Sequence, residues 1–375
     1  MKIPFNRPYF TGNEIQTIIK AAMAGQISGN GLYTQKCQRY FEKKFGFQKT
    51  LLTTSCTDAL EMAAVLCNLE SGDEVIVPAY TFVSTANAFA LHRAKIVFAD
   101  SCEDNPNIDP EKLESLINDK SRAIVVVHYG GVACDMDRIM EIADKHNLFV
   151  IEDAAHAIDA YYKKQPLGSI GHFGTFSFHE TKNVISGEGG MLAVNDKRFS
   201  ERAEIIWEKG TNRAAFHRGE VKKYEWVDVG SSYLPSEVMA AMLYTQLMAI
   251  KGIQKRRKDI WETYNEKLKP LEERGWIQLP KIPEYASNNG NMFYIATKNL
   301  DERDKLLKHL SRNSIHAVFH YLPLHSSPYY KDKHDGRELP NAVRFSDCII
   351  RLPFYYELSV KDINYVVEKI EGFYR

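Results

Sequence analysis

An excess of charge is the first thing this sequence lacks: 48 Lys and Arg residues are matched by 48 Asp and Glu, with no long run of either sign. A nucleic-acid binder normally carries a basic stripe, so that class is disfavoured, although a neutral total still allows a local basic pocket for an anionic ligand. Long apolar runs are also missing. None approaches the ~18–20 residues needed to cross a bilayer, and the opening MKIPFNRPYF holds no apolar core of signal-peptide length. A cytoplasmic protein with no membrane partner is the expectation. The six cysteines (37, 56, 67, 102, 134 and 348) form no C-x-x-C pair, so neither a metal site nor a redox motif is expected, only reduced thiols. No G-x-G-x-x-G occurs near the N-terminus, which argues against a nucleotide-sugar oxidoreductase on a dinucleotide-binding fold. Repeats and low-complexity tracts are absent.

What is present is an alternation. At 375 residues the chain exceeds the size of a single growing core, which implies a large domain and a smaller one. Leu51 to Thr53 is short and apolar, and Ser55 and Thr57 offer caps for a helix reaching Cys67. Strands are expected at Glu74–Val77, Lys95–Phe98, Ala123–Val127, Leu148–Ile151 and Met191–Val194. Helices are expected at Thr81–His92, around Leu113 and Ile117 after Asp109-Pro110, at Met136–His146, and from near Asp196. Strands alternating with helices of this length give an α/β fold on a mainly parallel sheet, with ligands beyond the carboxyl ends of the strands. Residues 210–232 read as a long loop, followed by a helix from Ser236 and another over Ile253–Leu268. A C-terminal α+β part comes last, with strands at Phe293–Ala296, Ala317–Phe319 and Ile349–Leu352 and helices near Leu306 and Val366. The boundary is placed near Gly252, giving a large domain at 1–252 and a smaller one at 253–375.

Four segments at strand ends carry chemistry. Asp153, after Leu148–Ile151, can pair with the nitrogen of a pyridine ring and keep it protonated, which strengthens the ring as an electron sink; it serves equally well as a helix cap. His156, three residues on, can meet the ring face or a phenolic oxygen. Lys182 follows the strand-like FSF and precedes the glycine turn 187–190. Buried among aromatics, its ammonium loses hydration, its pKa falls, and the neutral amine can attack an aldehyde; most lysines are simply solvated. Ser55, Cys56 and Thr57 open a helix, where hydroxyls and free amides make an anion site, and Ser177 can add a hydroxyl. Phe82 can stack on a ring or pack in a core.

Together these pieces resemble a known family. SCT-AL, P-YTFVSTANA, VIEDAAHA, FSFHETKN with GEGG, and EKGTNR look like the DegT/DnrJ/EryC1/StrS sugar aminotransferases over essentially the whole chain. The resemblance implies fold type I, a seven-stranded type of sheet, and pyridoxal 5′-phosphate as cofactor. It also implies that Lys182 bonds the cofactor aldehyde and shuttles the proton, while Asp153 pairs with the ring nitrogen. Phe82 would stack on the ring, His156 would neighbour the phenolic oxygen, and Ser55, Cys56, Thr57 and Ser177 would hold the phosphate. Family members are homodimers with shared sites, in which an asparagine usually reaches the partner's phosphate. Here Ser232 of the partner subunit occupies that position, a departure from the pattern.

The segments PFN-P, VHYGGVACDMD, KGTNR, DVGSSYL and VFHYLPLH resemble one branch of the family. That branch moves the amino group of L-glutamate to C4 of dTDP-4-keto-6-deoxyglucose, giving dTDP-4-amino-4,6-dideoxygalactose for surface polysaccharides. Candidates for the sugar and its phosphates are Arg213, His217, His320, Tyr321 and His325; an arginine fork suits phosphate best, and all five also fit as surface loop residues. Amination at C3 or to the gluco epimer is the alternative. Relatives that remove a sugar hydroxyl carry histidine in place of the lysine, so Lys182 favours amino transfer. A non-catalytic sensor on the same fold would bind cofactor without moving nitrogen, and the intact lysine, aspartate and phosphate set argues against it.

Overall fold

The computed structural model describes residues 2–375. Two helices that the pattern did not announce come first, α1 (Glu14–Met23) and α2 (Leu32–Phe45). Next are β1 (Lys49–Thr53), α3 (Cys56–Leu66), β2 (Glu74–Pro78), α4 (Ser84–Ala90), β3 (Lys95–Ala99), β4 (Ser121–Val127), α5 (Met136–His146) and β5 (Phe149–Asp153). A short hairpin, β6 (Tyr161–Tyr162) and β7 (Gln165–Pro166), leads to β8 (Phe173–Ser177) and β9 (Gly190–Val194).

Seven of these strands form one sheet in the order β1-β9-β8-β5-β4-β2-β3, in which only β9 runs against the rest. Both faces are covered. Ile76, Ile124 and Val126 pack in one core with α2 and α5, whereas Val75, Val77 and Val125 point to a second core with α3 and α4. Burial on both sides is why these strands read as unbroken apolar runs instead of alternating ones.

Local readings differ from the structure where propensity was thin. Asp109 does cap, accepting from the Glu111 amide, but it opens two 3₁₀ turns at Pro110–Lys112 and Glu114–Leu116, not an α-helix. The apolar positions stop at Ile117, whose backbone is already extended. Beyond β9 come α6 (Ser200–Trp207) and a one-turn helix α7 (Arg213–His217) inside the expected loop. The two helices expected after Ser236 are one, α8 (Glu237–Glu273), capped by the Ser236 hydroxyl. Gly252 lies within it. Residues Ala240 to Ile253 pack on the sheet core and Ile260 to Leu271 on a C-terminal core, so a single rod serves both.

The C-terminal part holds β10 (Tyr294–Ala296), α9 (Leu300–Arg312), α10 (Pro340–Cys348), β11 (Ile349–Arg351) and α11 (Val360–Tyr374). β10 and β11 pair antiparallel. The expected strand at 317–319 shrinks to one bridge, Val318 to Arg351. Ile3 pairs with Ile315 and joins this same core. Among the described residues no helix is long and apolar enough to cross a membrane, and no group of side chains is arranged to hold a metal ion.

Candidate active site

Strand register brings the chemistry to one edge. Val127 lies opposite Asp153, Asp153 opposite Thr175, and Gly190 opposite both Ser177 and Thr53. The segments leaving these strands surround a cavity of about 570 Å³. It is lined by Ser55, Cys56, Thr57, Phe82, Asp153, His156, Ser177, Lys182, His320 and Tyr321, all singled out in the sequence. Arg213, His217, Ser232 and His325 do not line it. Arg213 sits on exposed α7, its Nε 3.2 Å from His217 Nε2; Ser232 is exposed, bridged to Glu208. The His325 ring lies against Phe98 and His334.

Asp153 ends β5 and is buried. Its carboxylate accepts from Thr85 Oγ1 at 2.7 Å and from the Ala155 amide at 3.1 Å. Burial nevertheless raises its pKa above the usual carboxylate value, outweighing those bonds. A buried carboxylate with spare acceptor capacity facing a cavity fits a cationic ring nitrogen.

Lys182 is held by a turn that returns the chain from β8 to β9. Its amide donates to His179 O, and the Glu180 amide donates to the carbonyl of Gly187, whose φ of +84° is left-handed. Enclosure lowers its pKa from 10.5 to about 8, with the Arg351 charge assisting and Cys56 and Asp153 opposing. A usable share of neutral amine is therefore present near neutrality.

At the other end of the cavity Ser55 caps α3, its hydroxyl accepting from the Asp58 amide at 3.1 Å. The Cys56 and Thr57 amides then have no partner within the helix, and Thr57 Oγ1 donates to Ser84 Oγ at 2.9 Å. With Ser177 lining the same cavity, this arrangement of donors would suit a phosphate ester. It depends on Gly190: a Cβ there would lie 2.3 Å from the carbonyl carbon and oxygen of Ser55 and 2.4 Å from Cys56 N. The Cys56 thiol is pushed up, first by burial and then by Asp153, away from nucleophilic use.

Phe82 is 55% exposed, so it presents a ring to the cavity and is not core. His156 Nδ1 accepts from the Gly130 amide at 3.3 Å, and burial holds the ring neutral, with Lys182 adding to the effect. His320 likewise accepts at Nδ1, from Arg351 Nη1 at 3.1 Å, since a guanidinium has donors only. Burial and the charges of Arg351 and Lys182 lower its pKa to about 4.

Sequence reasoning missed Thr81, Ser84, Thr85 and Arg351. The three hydroxyls lay in the quoted segment YTFVSTANA, where Thr81 and Thr85 sit four apart and their hydroxyls meet at 2.9 Å. Arg351 showed itself only as a charge inside the apolar run IIRLPF.

A lysine, an aspartate and a phosphate cradle at the carboxyl edge of such a sheet define a pyridoxal-phosphate enzyme, and the donor set fits that cofactor. Residues 8–371 match the model of the DegT/DnrJ/EryC1/StrS aminotransferase family. The chain is similar to the spore coat polysaccharide biosynthesis protein SpsC of Bacillus subtilis, 32% identical over 98% of this chain and 96% of that one. It is similar also to GDP-perosamine synthase of Escherichia coli O157:H7, 31% identical over 99% and 98%. A putative sugar aminotransferase of Streptococcus pneumoniae, solved in its PLP form, superposes with a TM-score of 0.91 at 26% identity, over 100% of this chain and 98% of that one. The chain belongs to the DegT/DnrJ/EryC1/StrS aminotransferase family. It is a sugar aminotransferase that uses pyridoxal phosphate.

Proposed function

We propose that this enzyme transfers the amino group of L-glutamate to C4 of dTDP-4-keto-6-deoxyglucose, giving dTDP-4-amino-4,6-dideoxygalactose and 2-oxoglutarate for surface polysaccharide synthesis. The observation that carries amino transfer is the enclosed Lys182 amine, with its pKa near 8, sharing one cavity with the buried Asp153. The finer substrate reading rests on the segments PFN-P, VHYGGVACDMD, DVGSSYL and VFHYLPLH. Nucleotide-linked sugars are also the business of a relative named GDP-perosamine synthase.

When bound, pyridoxal phosphate supplies an aldehyde and a ring that accepts electrons from a carbon beside nitrogen. The protein's part is positional and protonic. Asp153, which lines the cavity, would pair with the ring nitrogen and keep a proton there. Ser55, Ser177 and Thr57, with the first amides of α3, fix the phosphate. Phe82 would stack on the ring, and His156 would neighbour its phenolic oxygen. The neutral Lys182 amine would carry a proton from the donor carbon to C4′ of the cofactor in one half-reaction and from C4′ to the acceptor carbon in the other. A homodimer with shared sites, in which Ser232 of the partner subunit reaches the phosphate, belongs to the same proposal. So do Arg213, His217 and His325 as contacts to the nucleotide sugar, and a cytoplasmic setting.

The test is direct. Protein loaded with cofactor and glutamate is offered a panel of dTDP-, UDP- and GDP-linked keto sugars, and products are assigned by NMR. An equatorial-to-axial distinction at C4 separates galacto from gluco products. Amination at C3, or of another nucleotide's sugar, would overturn the finer reading and leave amino transfer standing.

A further inference from the structure

Arg351 stands apart from the other buried arginines. It is 9% exposed and lies on β11. Its backbone is fixed in both directions by Val318, whose carbonyl accepts its N–H at 2.7 Å and whose amide donates to its carbonyl at 3.1 Å. Burying a guanidinium is costly unless a counter-charge and hydrogen-bond acceptors meet it. Arg303 pairs with Asp304 and donates to Ser346 O. Arg257 donates to the carbonyls of Gly290 and Asn291 at 2.9 and 2.8 Å. Arg351 has neither arrangement. Its neighbours are neutral: His320 Nδ1, the Tyr321 hydroxyl and the ring of Phe5 at 5.3 Å. Its Nε–H, buried, meets no acceptor at all. The side chain lines the cavity that holds Lys182.

We infer that Arg351, seconded by the Nε2–H of His320, is the receptor for the α-carboxylate of the amino donor. The inference rests on the amino-transfer reading and names the second substrate's anchor. A carboxylate matches the paired N–H groups of a guanidinium edge, and so does a phosphate. Reach decides between them. In an α-amino acid the carboxylate is one bond from the carbon that carries the nitrogen, so its receptor must lie beside Lys182. The diphosphate of a nucleotide 4-keto sugar is separated from the reacting carbon by the sugar ring, so its receptor must lie farther out. Arg351 is near: its positive charge is felt by Lys182, His156 and His320 alike.

The two half-reactions of the cofactor-loaded enzyme separate these sources. Arg351→Gln should raise the glutamate concentration for half-maximal conversion about 100-fold, and Arg351→Lys, with a point charge but no fork, about 10-fold. At a pH where the Lys182 amine is neutral in parent and variants alike, the return half-reaction with the keto sugar should slow less than threefold in both. Binding of glutarate, a dicarboxylate without an amine, read by the change in cofactor absorbance, should weaken in step with the glutamate effect. Loss confined to the sugar half-reaction would reassign Arg351 to phosphate. Equal loss in both, or none in either, would remove it as a receptor. Unmodified enzyme converted by glutamate but inactive on every dTDP sugar would refute the finer function while leaving this inference testable and intact.

Discussion

Glu152 and Asp153 are adjacent carboxylates on one strand, and they have opposite fates. Glu152 is fully buried and accepts from the amides of Gly168, Ile170 and Gly171 at 2.6–2.7 Å, and from His128 Nε2 at 2.9 Å. That ring's tautomer is set because its Nδ1 accepts from the Cys134 amide. Every need of Glu152 is met by protein. Asp153, turned to the cavity by the period of the strand, accepts two bonds and is left with a raised pKa. The same contrast separates Arg257 from Arg351. A satisfied buried charge organises the fold, and an unsatisfied one waits for a ligand.

Substitutions can break or sharpen this contrast. The largest effect is expected at Lys182. Lys182→Ala should cut amino transfer on the order of 10⁴-fold with the fold intact, and borohydride fixation of cofactor, mapped by peptide, should vanish; an adduct found on another lysine would unseat Lys182. Asp153→Asn should cost about 10²- to 10³-fold in rate while the melting temperature stays close to that of the parent. Glu152→Gln should do the reverse. Losing the charged acceptor of four donors should destabilise the protein by about 2–4 kcal/mol, seen in denaturant unfolding; an unchanged midpoint there would erase the distinction between the neighbours.

The pH dependence gives a smaller, signed effect. Capture of cofactor by apoprotein needs the neutral Lys182 amine, so its rate should climb through pH 8 and level off above. Arg351→Gln removes a positive charge that holds the amine's pKa down, so that climb should move to higher pH. A move to lower pH would contradict the electrostatics described. Phe82→Ala is expected to matter least, weakening cofactor binding about tenfold through lost ring stacking, as read by equilibrium dialysis.

The sheet and its site edge were legible because β2, β4 and β5 are buried on both faces and so spell themselves in unbroken Val and Ile runs. Residues beyond their ends, from Ser55 to Lys182, could then be gathered by the rule that ligands sit at carboxyl edges. The 110–117 segment was misread because a cap and a proline start a turn but do not supply the buried stripe that prolongs it. α1 and α2 are not legible in the sequence because they precede the strand–helix alternation that begins at β1. Arg351 escaped for a different reason. It reaches the cavity from β11, nearly 170 positions after Lys182 (351 against 182), and no local pattern reports a contact made by packing across that separation.

Gly190 carries a consequence beyond its own strand. Because its missing side chain lets β9 lie against the start of α3, the position of that helix's first amides is set by an atom that is not there. A methyl group at that position would wedge the helix mouth open and, on the proposed reading, loosen the grip on cofactor. On that reading, the hold on vitamin B6 is written partly as a gap.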